Sequence, residues 1–340
     1  MTLAPQKPQR PAGAPRLAWA SIATGARNYG NLLIEWSLRR ILDLPEPAIS
    51  FDSFAPMDDA LARRINAECD LLLSPGCTTL QVGQNAAYLG FDRIRVPKPC
   101  FGGCLWQAAR SGRLGMVLHA LGTGARPPRS PVDLRIARMM SAPVGSRDPF
   151  THEALRAGGI DSRLIGCPTL LIADPVEGWR KPAGRTAVFS LSRGALPRQW
   201  ELVGRLRRRW KVTAFVHEPY ERKVLGAFPG IERVQYESPD QYVRHYAQAD
   251  LVVTGRLHGA LPAIAHGTPV VFFGDPSDTR LSLLEHLGIP IRRPGADLAA
   301  IVHSPSSMGL TGRTFEVVAQ LRRSFARYAG VWGIGTRMKC

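Results

Sequence analysis

The residues best suited to chemistry stand together in one short turn, Arg256-Leu257-His258-Gly259, between an apolar run and a helical pattern. The apolar run at 251–254 predicts a strand, and a helix is predicted to open near Gly259. N–H groups at a helix N-terminus attract an anion, and the guanidinium of Arg256 can add a charge-assisted hydrogen bond. His258 can give or take a proton beside that anion near neutral pH. The turn therefore predicts a site for a small phosphate or carboxylate.

A structural interpretation of the same residues is that Arg256 pairs with a surface acid and His258 caps a helix. For a lone Arg or His that interpretation is the default, but the position at a strand-to-helix turn favours binding. Other side chains follow predicted strands and carry the same two interpretations. They are Asp275, Asp278 and Arg280 after one strand, and His217 and Glu218 after another. His266 lies on the helix predicted after Gly259 and is interpreted as structural.

Short apolar runs alternate with helical patterns along the whole chain, which predicts parallel sheets built from βαβ units. Strands are predicted at 17–24, 48–51, 70–74, 116–120, 163–165, 187–191, 212–216, 233–236, 251–254 and 270–273. Helices are predicted at 31–42, 58–68, 132–140, 151–157, 197–209, 240–248, 259–266, 278–287 and 313–328. Thr151 is the expected N-cap of its helix, and Gly158–Gly159 is the expected stop.

The expected fold is α/β, with two Rossmann-like, doubly wound domains and a cleft between them. A segment rich in Pro, Gly and charge at 173–185 predicts the linker. We expect a disordered segment at 1–15, an acceptor-side domain at 16–172, a donor-side domain at 186–312, and a terminal helix and tail at 313–340, long enough to reach the first domain. Ligands of such folds bind beyond the carboxyl ends of the strands.

The chain is strongly basic: 44 Lys and Arg against 27 Asp and Glu give a formal net charge of +17. A field of that sign attracts phosphates, anionic lipid surfaces or nucleic acid. The basic clusters are not interleaved with aromatics as in a nucleic-acid module, so we predict no nucleic-acid partner. They are solvated faces or a docking surface for membrane or acidic glycan. Cys100 and Cys104 form an isolated pair of cysteines, so no metal site is predicted. Without a secretory signal or an apolar run of about 18 residues, we expect a cytoplasmic protein that touches the inner membrane face.

The segment around the Arg-Leu-His turn resembles the signature of polysaccharide pyruvyl transferases. Ala-Asp-Leu-Val-Val-Thr-Gly precedes the turn, and Ala-His-Gly-Thr-Pro-Val-Val follows it. Further matches are Ser146-Arg147-Asp148, continuing to Gly166-Cys167-Pro168-Thr169, then Asn28-Tyr29-Gly30-Asn31, and the strand LLLSPG that ends at Gly76. The resemblance runs from about residue 18 to 290 and is specific at the Arg-Leu-His turn.

That resemblance implies a fold like the two-domain GT-B glycosyltransferases, with phosphoenolpyruvate as donor and co-substrate and no further cofactor. It implies two arginines and a histidine around the donor, which are Arg147, Arg256 and His258 in this sequence. Asn28 and Asn31 resemble a loop that grips the acceptor, which would be a glycan or a lipid-linked oligosaccharide, and Asp275 is a further candidate for acceptor hydroxyls.

Two other functions compete with this one. A GT-B glycosyltransferase with a nucleotide-sugar donor shares the LPAIAHGTPVV tail, but such enzymes often carry a Glu about seven residues before the equivalent of Pro269 to hold the ribose. Pro262 occupies that position here, and no acid lies between Leu257 and Gly274. A non-catalytic scaffold on glycan or membrane would explain the charge, but it has no need of Arg147, Arg256 and His258 together.

Overall fold

The fold is an alternation of strands and helices, as the periodicity predicts. The computed structural model describes residues 15–23, 29–52, 59–75, 78–80, 115–118, 122–123, 143–172, 184–191, 196–226, 228, 230–235, 237–293 and 310–338. The predicted helix at 132–140, Asn28 and most of the predicted linker lie outside these residues.

The first half of the chain holds nine strands and four helices among its described residues. They are β1 (Leu17–Ser21), α1 (Tyr29–Ile41), β2 (Leu42–Asp43), β3 (Ile49–Asp52), α2 (Asp59–Glu68), β4 (Leu71–Ser74), β5 (Thr78–Leu80), β6 (Gly115–Leu118), β7 (Gly122–Thr123), β8 (Val144–Ser146), α3 (Pro149–Ala157), β9 (Ser162–Leu164) and α4 (Pro168–Leu171).

The second half continues the same alternation. It contains β10 (Thr186–Ser190), α5 (Leu196–Leu206), β11 (Lys211–Phe215), α6 (Pro219–Gly226), β12 (Glu232–Val234), α7 (Pro239–Gln248), β13 (Leu251–Thr254), α8 (Leu257–Ala265), β14 (Val270–Phe273), a 3₁₀ turn (Thr279–Leu281), α9 (Ser282–His286), β15 (Ile291–Arg292), α10 (Gly312–Val331) and β16 (Gly335–Thr336).

The chain divides into two compact units that are not continuous in sequence. Unit 1 comprises Met1–Gly25, Leu42–Ile165 and Ser324–Arg337, and unit 2 comprises Ala26–Ile41, Gly166–Arg323 and Met338–Cys340. The division differs from the predicted boundaries because α1 packs on α4 and α8 and so belongs to unit 2, although it follows the first strand of unit 1. The end of α10 is grouped with unit 1.

Each unit is built on a parallel sheet. Unit 1 has a four-stranded sheet in the order β3-β1-β4-β6, and unit 2 has a six-stranded sheet in the order β12-β11-β10-β13-β14-β15. Strands buried on both faces read as continuous apolar runs, which is why LLLS and VVFF were recognisable in the sequence. In unit 2 the direction of winding reverses between β10 and β13, and ligands of open α/β sheets bind at such a switch point.

The predicted N-cap of α3 is wrong by three residues. The cap is Asp148, whose Oδ1 accepts hydrogen bonds from the backbone N–H and the hydroxyl of Thr151, both at 2.8 Å. Pro149 follows at the first helical position, where its missing N–H costs nothing. The predicted stop is confirmed, since Gly158 is the C-cap and Gly159 has a φ of 72°.

The core of unit 2 predicts a large cost for truncating a central aromatic. Phe189 on β10 is fully buried, and its ring is stacked on that of Phe273 at 6.2 Å between centroids. We expect Phe189→Ala to lower the free energy of unfolding by about 3–5 kcal/mol in urea titrations. Phe315→Ala is the control, because that ring is 50% exposed, and should cost less than about 1 kcal/mol. Similar losses in the two variants would contradict this packing.

Candidate active site

The Arg-Leu-His turn lies at the switch point of the unit 2 sheet. β13 ends at Thr254, Arg256 is the N-cap of α8, and Leu257 is its first residue. The Arg256 side chain makes no capping hydrogen bond, and among the described residues the N–H of Leu257 has no acceptor. The sequence-based placement of this turn at a helix N-terminus is therefore confirmed, with the helix opening two residues before Gly259.

A small polar cluster at the ends of β10 and β13 packs against the Arg-Leu-His turn. The hydroxyls of Ser190 at the end of β10 and Thr254 at the end of β13 are hydrogen-bonded to each other. Thr254 Oγ1 also accepts from the backbone N–H of Arg256 at 2.9 Å. A Cβ on Gly259 would lie 2.7 Å from Thr254 Oγ1 and 3.1 Å from Ser190 Oγ. Glycine is therefore required at 259 because the helix approaches the two strand ends so closely.

The guanidinium of Arg256 is held by the segment that follows β10 and by the start of α6. Its Nε donates to the carbonyl of Leu191 at 2.9 Å, and its Nη1 donates to Glu218 Oε1 at 2.7 Å. Its Nη2 donates to Glu221 Oε1. Arg256 does pair with acids, as the structural interpretation expects, but these are buried acids rather than surface ones. In this arrangement two carboxylates surround one guanidinium.

Glu221 ties the start of α6 to the Arg-Leu-His turn. Its Oε2 accepts the backbone N–H of His217 at 2.6 Å and that of Glu218 at 3.3 Å, which is the contact of a capping-box Glu. Such residues are usually solvated, whereas Glu221 is fully buried. Burial raises the pKa of its carboxyl, and Arg256 and the hydrogen bonds oppose that rise.

His217 lies in a buried aromatic cluster rather than at an open surface. Its ring nitrogens lie 2.5 Å and 2.7 Å from the hydroxyls of Tyr242 and Tyr246. Burial, with the nearby charges of Arg256 and His258, lowers the pKa of His217 well below its ordinary value. The ring is therefore neutral, and with the two tyrosines it forms a support for Arg256 and its carboxylates.

His258 is partly buried in the first turn of α8, beside the N-cap. Pro262, four residues on, has no N–H to donate to the His258 carbonyl. The Tyr242 hydroxyl donates to that carbonyl instead, at 3.5 Å. Pro262, which occupies the position of the ribose-binding Glu, thus leaves the His258 carbonyl available to Tyr242 of α7.

Arg147 lies in unit 1, at the carboxyl end of β8. The side chain is only 3% exposed, and its Nε donates to Asp148 Oδ2 at 3.1 Å. Its Nη2 is buried and has no hydrogen-bond partner in the described part of the chain. A buried guanidinium nitrogen of this kind is ready to bind an anionic group.

The remaining candidates occupy more ordinary positions. Asn31 lies in the first turn of α1, where the N–H of Tyr29 donates to the His217 carbonyl at 3.3 Å, so this helix start belongs to the same unit as Arg256. Asp275 is exposed, and hydrogen bonds from Ser277 lower the pKa of its carboxyl, which makes it a poor base.

Two further candidates have local structural contacts. Asp278 caps the 3₁₀ turn by accepting from the N–H of Arg280 at 3.0 Å, as its structural interpretation expects. His266 follows α8, with its Nδ1 at 2.9 Å from the Pro262 carbonyl. Among the described residues, no group of three or more His, Cys, Asp and Glu could hold a metal ion.

Sequence reasoning missed Glu221, Tyr242, Tyr246 and Ser190. A signal existed for Glu221, because a Glu three residues after the residue that precedes a helix indicates a capping box. Tyr242 and Tyr246 are spaced four apart on one helix face, which indicates a shared environment but not its nature.

Comparison with solved structures defines the class of the fold. A UDP-N-acetylglucosamine 2-epimerase superposes with a TM-score of 0.57 at 10% identity, covering 94% of this chain and 96% of that one. The UDP-GlcNAc 2-epimerase of Neisseria meningitidis gives 0.53 at 9% identity, covering 90% and 99%. That of Methanocaldococcus jannaschii gives 0.52 at 12%, covering 90% and 98%. The chain is thus an α/β protein with two Rossmann-like domains of GT-B-like architecture.

The family follows from the sequence. The family model for polysaccharide pyruvyl transferase matches residues 28–276, well over half of the chain. The chain belongs to the polysaccharide pyruvyl transferase family. No curated protein sequence matches it. No helix among the described residues is both long enough and apolar enough to cross a membrane.

The close approach at Gly259 predicts opposite effects of one substitution at two helical glycines. Gly259→Ala forces a methyl group against Thr254 and Ser190, and should lower the free energy of unfolding by about 1–3 kcal/mol. Gly204→Ala on α5 is the control, since its Cβ meets nothing within 4 Å, and should raise stability by about 0.4–1 kcal/mol. Urea titration measures both; a stabilising Gly259→Ala would refute the packing.

Burial of neutral His217 predicts a pH dependence of stability. Its folded-state pKa lies below its unfolded value, so the unfolded chain binds the proton first and stability falls as pH drops below about 6.5, by up to about 1.4 kcal/mol per pH unit. His217→Gln should flatten this slope relative to the parent chain. Glu221 contributes in the opposite sense, because its raised pKa increases stability as pH falls. Its contribution is present in both proteins and cancels when the variant is compared with the parent chain. Parallel stability curves between pH 5 and 7 would contradict the assignment.

Proposed function

We propose that the protein transfers a pyruvyl group from phosphoenolpyruvate to a sugar of a cell-surface glycan or exopolysaccharide, forming a pyruvate ketal and releasing phosphate. The observation that carries the proposal is the Arg256–His258 turn at a helix N-terminus on the switch point of the sheet, in a chain of this family. No cofactor is required beyond the donor, which is a co-substrate.

The donor carries a phosphate and a carboxylate, and both need cationic partners. Glu218 and Glu221 already compensate the charge of Arg256, so the donor also needs the N–H of Leu257, the first residue of α8. A second guanidinium is required for the other anionic group. Arg147 is proposed for that role because its buried Nη2 has capacity to donate.

The reaction requires one general acid, and overall it neither consumes nor releases a proton. His258, as imidazolium, protonates the methylene carbon of phosphoenolpyruvate, and a sugar hydroxyl adds to the resulting oxocarbenium-like carbon and loses its proton. The C–O bond to phosphate then breaks, and a second hydroxyl of the same sugar attacks the same carbon to close the ketal. One diol and one phosphoenolpyruvate thus give one ketal and one hydrogen phosphate.

The acceptor is proposed to be a glycan or a lipid-linked oligosaccharide in the cytoplasm, at the inner membrane face. Asn31 lies in the first turn of α1, whose Tyr29 N–H donates to the His217 carbonyl, and is the described residue proposed to bind the acceptor hydroxyls. Asn28 precedes it in sequence. Asp275 is proposed only as a binding group, since its lowered pKa argues against a role as base.

Donor binding can be tested before the acceptor is known. We expect phosphoenolpyruvate to raise the melting temperature, and Arg256→Lys and Arg147→Lys to weaken its binding by at least about tenfold, because a point charge cannot replace a forked donor. His258→Gln should retain binding and lose phosphate release with a diol-containing glycan by about 10²-fold or more. Turnover in D₂O should place deuterium in the ketal methyl group.

Arg280→Lys is the matched control, since its guanidinium pairs with Asp278 at the surface, and it should bind the donor normally. Stabilisation by a nucleotide sugar but not by phosphoenolpyruvate would contradict the proposal and favour a GT-B glycosyltransferase. Full turnover by His258→Gln would remove the histidine from the mechanism.

A further inference from the structure

The outer face of α5 and α6 in unit 2 is an exposed basic surface that no part of the proposed reaction uses. Both helices lie on the same side of the sheet, because Leu202, Val203 and Leu206 of α5 and Leu225 of α6 pack in one core cluster with β10 and β11. Their opposite sides are left at the surface. We call these sides, together with the exposed turn at 207–211 that follows α5, the α5–α6 face.

Cations dominate the α5–α6 face along its whole length. Arg207, Arg208, Arg209 and Lys211 are exposed where α5 ends and β11 begins. Arg198 near the start of α5, and Arg222 and Lys223 on α6, are exposed as well. Glu201 is the exposed acid among the described residues of the two helices, and it pairs with Arg205. The helix α5 alone extends the charge over roughly 16 Å.

An aromatic side chain stands within this charge. Trp200 is 38% exposed, and its ring stacks on that of Phe228 with 3.8 Å between centroids. One turn further along α5, Gly204 has open space around the position of a Cβ, so the indole has no side chain over it from that residue. An indole that is apolar on one side and exposed among cations is suited to the interface of a bilayer.

The direction of the helices places the active-site edge at one end of the face. α5 leaves the carboxyl end of β10 and returns to the amino end of β11, so Arg198 and Trp200 lie toward the carboxyl ends of the strands. α6 begins directly after Glu218, which pairs with Arg256. A surface that lies along both helices therefore passes beside the edge of the sheet that carries the Arg-Leu-His turn.

We propose that the α5–α6 face docks unit 2 on an anionic phospholipid bilayer. Charge complementarity favours this occupant, since dispersed cations match a plane of anionic headgroups. Single-stranded nucleic acid is favoured less, because its sites combine cations with several stacking aromatics, whereas Trp200 is the one exposed aromatic among the side chains of this face that the structure describes. The proposal does not depend on pyruvyl transfer.

Vesicle sedimentation of the full chain tests the proposal without turnover. The chain should bind vesicles with about one third phosphatidylglycerol, fail to bind phosphatidylcholine alone, and be released by high salt. Arg208→Glu/Arg209→Glu should reduce the bound fraction at least about tenfold. Arg222→Glu/Lys223→Glu tests the second helix in the same way, and unchanged melting temperatures exclude unfolding.

Arg323→Glu/Arg327→Glu on α10 is the matched control, because it makes the same change in charge at two exposed positions elsewhere. It should bind vesicles like the parent chain. Equal loss in the control, or no binding to anionic vesicles, would overturn the proposal. Binding of a single-stranded oligonucleotide that depends on the α5–α6 face, with vesicle binding unaffected by the substitutions, would overturn it in favour of nucleic acid.

Discussion

The hydrogen bonds of the Arg256 guanidinium determine how the segments at the carboxyl ends of the unit 2 strands are arranged. The guanidinium joins the carbonyl that follows β10, two carboxylates that follow β11, and the helix that follows β13. A buried charge of this kind is stable only with its partners in place, and loss of one partner typically costs about 3–5 kcal/mol. The three loops are therefore fixed relative to one another before any ligand binds, which is the preorganisation that a site needs.

The layer beneath Arg256 explains why several small or unusual residues stand where they do. The hydroxyls of Ser190 and Thr254 lie so close to α8 that any residue larger than glycine at position 259 would collide with them. Pro262 frees the His258 carbonyl for Tyr242, and Tyr242 in turn contacts a neutral His217. The hydrogen bonds among these uncharged groups rigidify the Arg-Leu-His turn, and they do so without placing a further charge beside Arg256.

Local sequence patterns predict many of the strands and helices. Apolar runs such as 251–254 and 270–273 coincide with strands, and the position of Arg256 and His258 at a helix start follows from the strand-to-helix switch in pattern. Contacts between distant segments could not be read in this way. The carboxylate of Glu221 lies 35 positions from Arg256, and α1 joins unit 2 by packing on helices from far along the chain. Asp148 was missed as a cap because Thr151, which it binds, is also a common cap residue.

The charges of the chain divide into a long-range and a local part. At the turn, Glu218 and Glu221 outnumber Arg256, and in unit 1 Asp148 neutralises Arg147, so neither guanidinium presents a bare charge. The chain as a whole has a formal net charge of +17, and most of the other arginines that the structure describes are exposed. A diffuse field of that sign raises the local concentration of an anion, while paired guanidiniums with fixed orientation distinguish one anion from another. Under the proposed function, attraction and recognition of the donor fall to different residues, and a change in surface charge should affect the first without altering the second.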